Sequence, residues 1–187
     1  WWPIAWWNTK LGPQDLADEA VEALSQGYIF HKFKPRPWID VYQQVEAVSA
    51  VTPPHYRLDL DWNSMLLNVG TATPVLQRLD EYERVSIYEG PIPQGDVEGL
   101  RELRRKVAKP IALHFGSPPF HTAVRESVCD GFVIGGGISA VLRQGQLADE
   151  LTKPFWLQMV GVGLVPALSA HLAAVPPTGT ASCRARR

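Results

Sequence analysis

The sequence predicts an α/β fold, a parallel (β/α)8 TIM-type barrel that is incomplete, with about seven βα units present. Two observations carry that expectation. One plan recurs along the chain: a short β-rich run, a loop of polar or Gly/Pro residues, then a segment with the 3.6-residue apolar period of a helix. Strands joined each time through a helix run parallel, and at this short, regular spacing a closed barrel is favoured over an open doubly wound sheet. The composition suits one ordinary globular core: 187 residues, 45% hydrophobic, with Lys+Arg 18 against Asp+Glu 19.

Taken in order, the first run is residues 3–7, and it reads as a barrel strand entered abruptly. It lacks the positive n-region and small-residue cleavage site of a signal peptide. Its helix sets Leu16, Ala17, Ala20, Val21 and Leu24 on one face, with Pro13 at the start and Gly27 at the stop. The second run, 28–34, precedes a helix at 41–51. The third, 56–61, precedes a helix at 75–82, and the fourth, 85–89, one at 97–107. Runs 110–114 and 131–134 are followed by helices near 122–128 and 139–151. A seventh run, 155–160, leads to a last helix at 164–175. The count stops one strand short of closure, which would leave two unpaired edges. The sequence therefore reads as one barrel domain over residues 1–175, either part of a longer chain or closed by a partner. Residues 176–187 have loop composition and no periodicity, and are expected to be a disordered or out-of-frame tail.

The near-balanced charge offers no basic stripe for phosphates, which argues against nucleic acid as a partner. The charge-poor stretch from Phe155 to Cys183 is interrupted by Gln158, Gly161, Gly163, Pro166, Ser169 and His171. A strand, a Gly-rich loop and a buried helix explain it better than a membrane span. Cys129 and Cys183 share no metal-ligand spacing, so a reduced, cytoplasmic protein is expected.

Chemistry is expected at the C-terminal strand ends, where a parallel barrel gathers its reactive side chains. The second run ends in Lys32-Phe33-Lys34, and the two-residue period of a strand turns both ammonium groups inward. In a partly dry cavity each would depress the pKa of the other, making a usable base, whereas on an exposed loop they would be a solvated pair. The third run ends Asp59-Leu60-Asp61-Trp62-Asn63 and the fourth Tyr88-Glu89-Gly90-Pro91. Carboxylates on adjacent strand tips suit a hard divalent cation, although each alone could equally cap a helix or face solvent. Gly135-Gly136-Gly137 reads as a tight turn before a helix, with anion binding at its N–H groups as the alternative. Trp6, Trp7, Trp38, Trp62 and Trp156 read as packing residues. His31, His55, His121 and His171 have no ligand spacing and receive no role.

Lys32-x-Lys34, Asp61-x-Asn63, Glu89-Gly-Pro-Ile-Pro93 and Asp130-Gly-Phe-Val-Ile-Gly-Gly136 appear in an order that resembles the barrel of the enolase superfamily, in its mandelate racemase and muconate-lactonizing branch. The resemblance runs from about Pro3 to about Val175. It implies a Mg²⁺-dependent lyase or isomerase, with Mn²⁺ as the alternative cation, that removes the proton α to a carboxylate of a small substrate. Acid-sugar dehydration, cycloisomerization and racemization are the reaction types it covers. By position Asp61 and Glu89 would be metal ligands, Lys34 the base, Lys32 its electrostatic neighbour and Asn63 a supporting residue. His114 stands where the family has a third carboxylate, and would be a ligand, a donor to substrate or a plain strand-end residue. Asp130 matches the Asp of racemase-type members, but Gln158 stands where its His partner is expected, and Gln exchanges no proton at neutral pH. The resemblance further implies an N-terminal capping domain outside these residues and a homo-oligomer when the protein is intact. The alternative reading is a non-catalytic truncated barrel with residual metal or ligand binding, and the 187 residues alone are expected to show no turnover.

Overall fold

The computed structural model describes residues 12–159 and 163–174. The strand expected at 3–7 and the tail at 176–187 lie outside them. Within them the chain alternates α1 (Pro13–Ser25), β1 (Phe30–Phe33), α2 (Val41–Val51), β2 (Arg57–Asp61), α3 (Val69–Asp80), β3 (Val85–Glu89) and α4 (Val97–Lys106), then β4 (Ile111–His114), α5 (Phe120–Arg125), β5 (Gly131–Ile134), α6 (Ile138–Glu150), β6 (Phe155–Leu157) and α7 (Leu164–Ala174). The second to seventh expected runs are thus β1 to β6. All six strands are parallel and lie in chain order in one sheet.

The sheet is curled into part of a barrel. Lys32 belongs to the first strand of the sheet and Gln158 follows the last, yet Lys32 Nζ lies 3.3 Å from Gln158 Oε1. Laid flat, five strand spacings would separate them by roughly 24 Å. The concave face holds an apolar layer of Ile87, Ala112, Val133 and Trp156. The convex face carries Phe33, Leu58, Leu60, Tyr88, Leu113 and Phe132 into the main core beneath the helices. Alternate residues of each strand therefore serve two cores, as the pleat requires.

α2, α3 and α4 start where side chains cap them. Asp40 accepts from Tyr42 N and Gln43 N at the head of α2, and Asp96 accepts from Gly99 N at the head of α4. α3 begins at Val69, six residues before the expected start at 75. Asn68 and Thr71 form a reciprocal capping box there, and the helix accommodates Pro74 in its interior. Among the described residues no helix is long and apolar enough to cross a membrane.

Candidate active site at the strand ends

The register brings the charged positions together. Lys32 lies beside Asp59, and Asp61 beside Glu89. Because the strands are parallel, the inward residues at their C-terminal ends converge on one mouth. Lys32 Nζ is 2.5 Å from Glu89 Oε2 and 3.2 Å from Asp61 Oδ2. Lys34 Nζ donates to Asp61 Oδ2 at 2.7 Å and to Asn63 Oδ1 at 2.9 Å. His114 Nε2 stands 3.3 Å from Glu89 Oε1, with its side chain 42% exposed at the rim while Glu89 is buried. Lys32, Lys34, Asp61, Asn63, Glu89, His114 and Gln158 thus share one site.

Local backbone features hold these groups in place. Asn63 adopts a left-handed backbone (φ 48°), and its N–H donates to Asp61 Oδ1 at 3.1 Å, fixing the carboxylate. Gly90, at φ 49°, turns the chain immediately after Glu89. The His114 N–H donates to Gln94 Oε1 at 2.7 Å, which ties the end of β4 to the loop after β3.

Two expectations are corrected. The lysine pair does not lower Lys32. Burial works in that direction, but Asp59, Glu89 and Asp61 together outweigh it and raise the Lys32 pKa above its ordinary value. Lys32 is a fixed positive charge. Asp130, matched to a catalytic Asp, precedes β5 and so lies at the opposite end of the sheet. Its Oδ1 accepts from Arg104 Nη2 at 2.5 Å and its Oδ2 from Ile111 N at 3.0 Å. It is a structural anchor between α4, β4 and β5.

Asp59 is the site residue that sequence reasoning passed over. It lies one pleat deeper than Asp61 on the same face and is 1% exposed. Burial first, then the charges of Glu89 and Asp61, push its carboxyl well above the usual range, with Lys32 offsetting part of the shift. For Asp61 burial also acts upward, but the Lys32 charge and the Lys34 hydrogen bond and charge prevail and hold it below the usual range. The Asp59-x-Asp61 alternation was the available signal.

The glycine turn also resolves. Gln144 of α6 clasps Gly135, accepting from its N–H at 3.1 Å and donating to its carbonyl at 3.2 Å. A Cβ on Gly135 would meet the Gln158 carbonyl oxygen at 2.6 Å, so glycine is required for the close approach of β5 and the end of β6. Among the described residues, no three His, Cys, Asp or Glu side chains are grouped so as to hold a metal ion. The oxygens that do converge on a single cation are Asp61 Oδ2 and Glu89 Oε2, and that cation is the Lys32 ammonium.

The chain belongs to the enolase C-terminal domain-like family, matched over residues 15–186. It is similar to a mandelate racemase/muconate lactonizing family protein from Azoarcus sp. EbN1, at 27% identity and a TM-score of 0.80, covering 92% of this chain and 48% of that one. It shares the fold of the N-succinyl Arg/Lys racemase from Bacillus cereus ATCC 14579 (20% identity, TM-score 0.78, 92% and 49% covered). It likewise shares that of the dipeptide epimerase from Cytophaga hutchinsonii complexed with Mg and the dipeptide D-Ala-L-Val (20%, 0.76, 92% and 49%). The chain spans about half the length of these solved relatives. Among curated proteins there is no match.

Proposed function

We propose that these residues form the barrel half of a site that abstracts the proton α to a carboxylate in a small substrate, assisted by Mg²⁺ or Mn²⁺. The observation that carries this reading is the convergence of Asp61 and Glu89 on one cation, with Lys34 beside them. The donor set fits a hard divalent ion at two carboxylates. Mg²⁺ takes one or two carboxylates, keeps water and draws further oxygens from its substrate. Asp61 and Glu89 would hold it, and His114 stands at the third corner, with a nitrogen ligand that suits Mn²⁺ better than Mg²⁺. When bound, the ion would supply the positive charge that offsets the negative charge developing on the substrate carboxylate.

The remaining chemistry is the chain's own. Lys34 is the base: its ammonium lies at the mouth, shared between Asp61 and Asn63, and must lose its proton before accepting one from carbon. Lys32, deeper and held charged by three carboxylates, contributes fixed positive potential near the substrate carboxylate. Asn63 orients Lys34, and Gln158 braces Lys32 from across the mouth without exchanging a proton.

A second reading, binding without turnover, draws on one specific observation: the third corner holds His114 in place of a carboxylate. One experiment separates the two. Titration calorimetry with Mg²⁺ should show one site that is lost in Asp61→Asn, and His114→Glu should bind Mg²⁺ about tenfold more tightly by restoring an oxygen and a charge. In a longer chain that completes the barrel and its cap, D-Ala-L-Val incubated with Mg²⁺ in D₂O should then lose its α-proton signal, and Lys34→Met in that chain should slow the loss by at least ~10²-fold with Mg²⁺ affinity retained. Mg²⁺ binding without exchange selects the second reading. No Mg²⁺ binding sinks both.

A further inference from the structure

We propose that the chain carries a second ligand site, on the helix side of the β2 strand end, for a small molecule with a flat apolar body and one carboxylate. This site does not rest on the reading above. A cavity of about 420 Å³ opens between the β1–α2 loop and the flanks of α2 and α3, a size that suits a small organic ligand. None of the strand-end charges lines it. Trp62 follows Asp61 directly, and the two-residue period turns it to the opposite face, where it forms part of the cavity wall.

Two observations define what would bind. The first is an exposed aromatic surface: Trp38 lines the cavity and is 72% exposed, against the expectation that it packs. A large indole left in water at a cavity rim is a stacking platform for a flat ligand. The second is uncompensated positive charge. Arg36 and Arg78 line the cavity; Arg36 donates to the Pro35 carbonyl at 2.9 Å, and the Arg78 guanidinium lies 3.7 Å from the centroid of the Tyr42 ring. Neither pairs with a carboxylate among the described residues. Asp40, the acid of the lining, is committed to the head of α2, accepting from Tyr42 N, Gln43 N and Gln43 Nε2 at 2.9, 3.1 and 3.2 Å. Guanidinium groups favour a planar carboxylate, and the aromatic wall favours a flat body beside it.

The test uses the full chain and 2-naphthoate, with 2-naphthylmethanol as its uncharged counterpart, followed by ligand-observed NMR titration. Saturable naphthoate binding is expected, about tenfold weaker for the alcohol and for Arg36→Gln, since one charge-assisted hydrogen bond is worth about that factor. Trp38→Ala should weaken both ligands alike. Trp38 is exposed and Arg36 half-buried without a carboxylate partner among the described residues, so circular dichroism should show both variants folded. Lys34→Met should bind naphthoate as the parent does. The proposal is overturned if naphthoate does not saturate, if Arg36→Gln binds it unchanged, or if Lys34→Met abolishes binding, which would place the ligand at the strand-end cluster.

Discussion

One oxygen of Asp61 faces two ammonium groups, a hydrogen bond from Lys34 at 2.7 Å and the Lys32 charge at 3.2 Å, and that crowding explains much of the site's behaviour. Lys32 and Lys34 face Asp59, Asp61 and Glu89 across a largely dry space, so acids outnumber bases, and Asp59, deepest and most desolvated, absorbs the imbalance by a raised pKa. Removing a buried partner from such a set leaves an uncompensated charge and typically costs about 3–5 kcal/mol. Lys32 substitutions will therefore report on folding, whereas Lys34, nearer the surface, would report on the proposed chemistry. A second buried group acts on stability alone. His31 on β1 is fully buried, edge-on to Phe33 and Tyr56 and 3.8 Å from Glu19 on α1, and burial lowers its pKa from 6.5 to about 4. The unfolded chain thus binds the extra proton first. This contribution to stability is fully present above pH 6.5 and is lost as pH falls from 6.5 towards 4. Between pH 7 and pH 5 urea unfolding should lose about 2 kcal/mol through this group. His31→Leu should flatten that part of the profile, and an unchanged slope in the variant would show that His31 is not the group responsible.

At the scale of elements, the β5–β6 junction leaves no room for a side chain at Gly135. Gly135→Ala would drive a methyl group into the Gln158 carbonyl, and because the obstacle is backbone it cannot swing aside. Overpacking of this kind costs about 1–3 kcal/mol. The midpoint of thermal unfolding should fall, with Gln158 displaced from Lys32; an unchanged midpoint would mean that β6 shifts freely. The same junction shows what the sequence made legible. β5 at 131–134 and α2 at 41–51 fall where periodicity and flanking turn residues set them, because uninterrupted apolar runs and a capping Asp are local signals. α3 starts six residues ahead of the apolar run expected at 75–82 because the Asn68–Thr71 box, a side-chain event, caps it there. Lys32, Lys34, Asp61, Glu89 and His114 were legible because strand ends in a parallel barrel converge by topology. Asp130 was misplaced by one strand length: motif order said which strand it neighboured, and only the register said which end. The lysine pKa failed for a related reason, since Lys32 is governed by Asp59 and Glu89 on other strands, which adjacency along the chain does not reveal.

For the whole molecule, the described residues form a curled parallel sheet with helices on its convex side, in a chain spanning about half the length of its solved relatives. Its outer surface is not uniformly polar. Ile138 and Leu142 lie one turn apart on α6 and are both strongly exposed, and Leu164 and Leu168 repeat that spacing on α7, with Leu164 86% exposed. Residues four apart share a helix face, so each helix presents an apolar stripe to solvent rather than scattered single residues. Contiguous exposed apolar surface of this kind marks a contact surface. The chain by itself should therefore self-associate. Sedimentation velocity over a roughly twentyfold concentration range should show the weight-average coefficient rising, as mass action requires for a reversible equilibrium. The paired change Leu142→Glu with Leu164→Glu should hold it constant, because like charges brought together across a contact repel and their desolvation is costly. A parent that sediments as a monomer throughout the range would show that these stripes tolerate water. If the parent associates and the double variant does so equally, the contact lies elsewhere, and the strand edges become the surface to test.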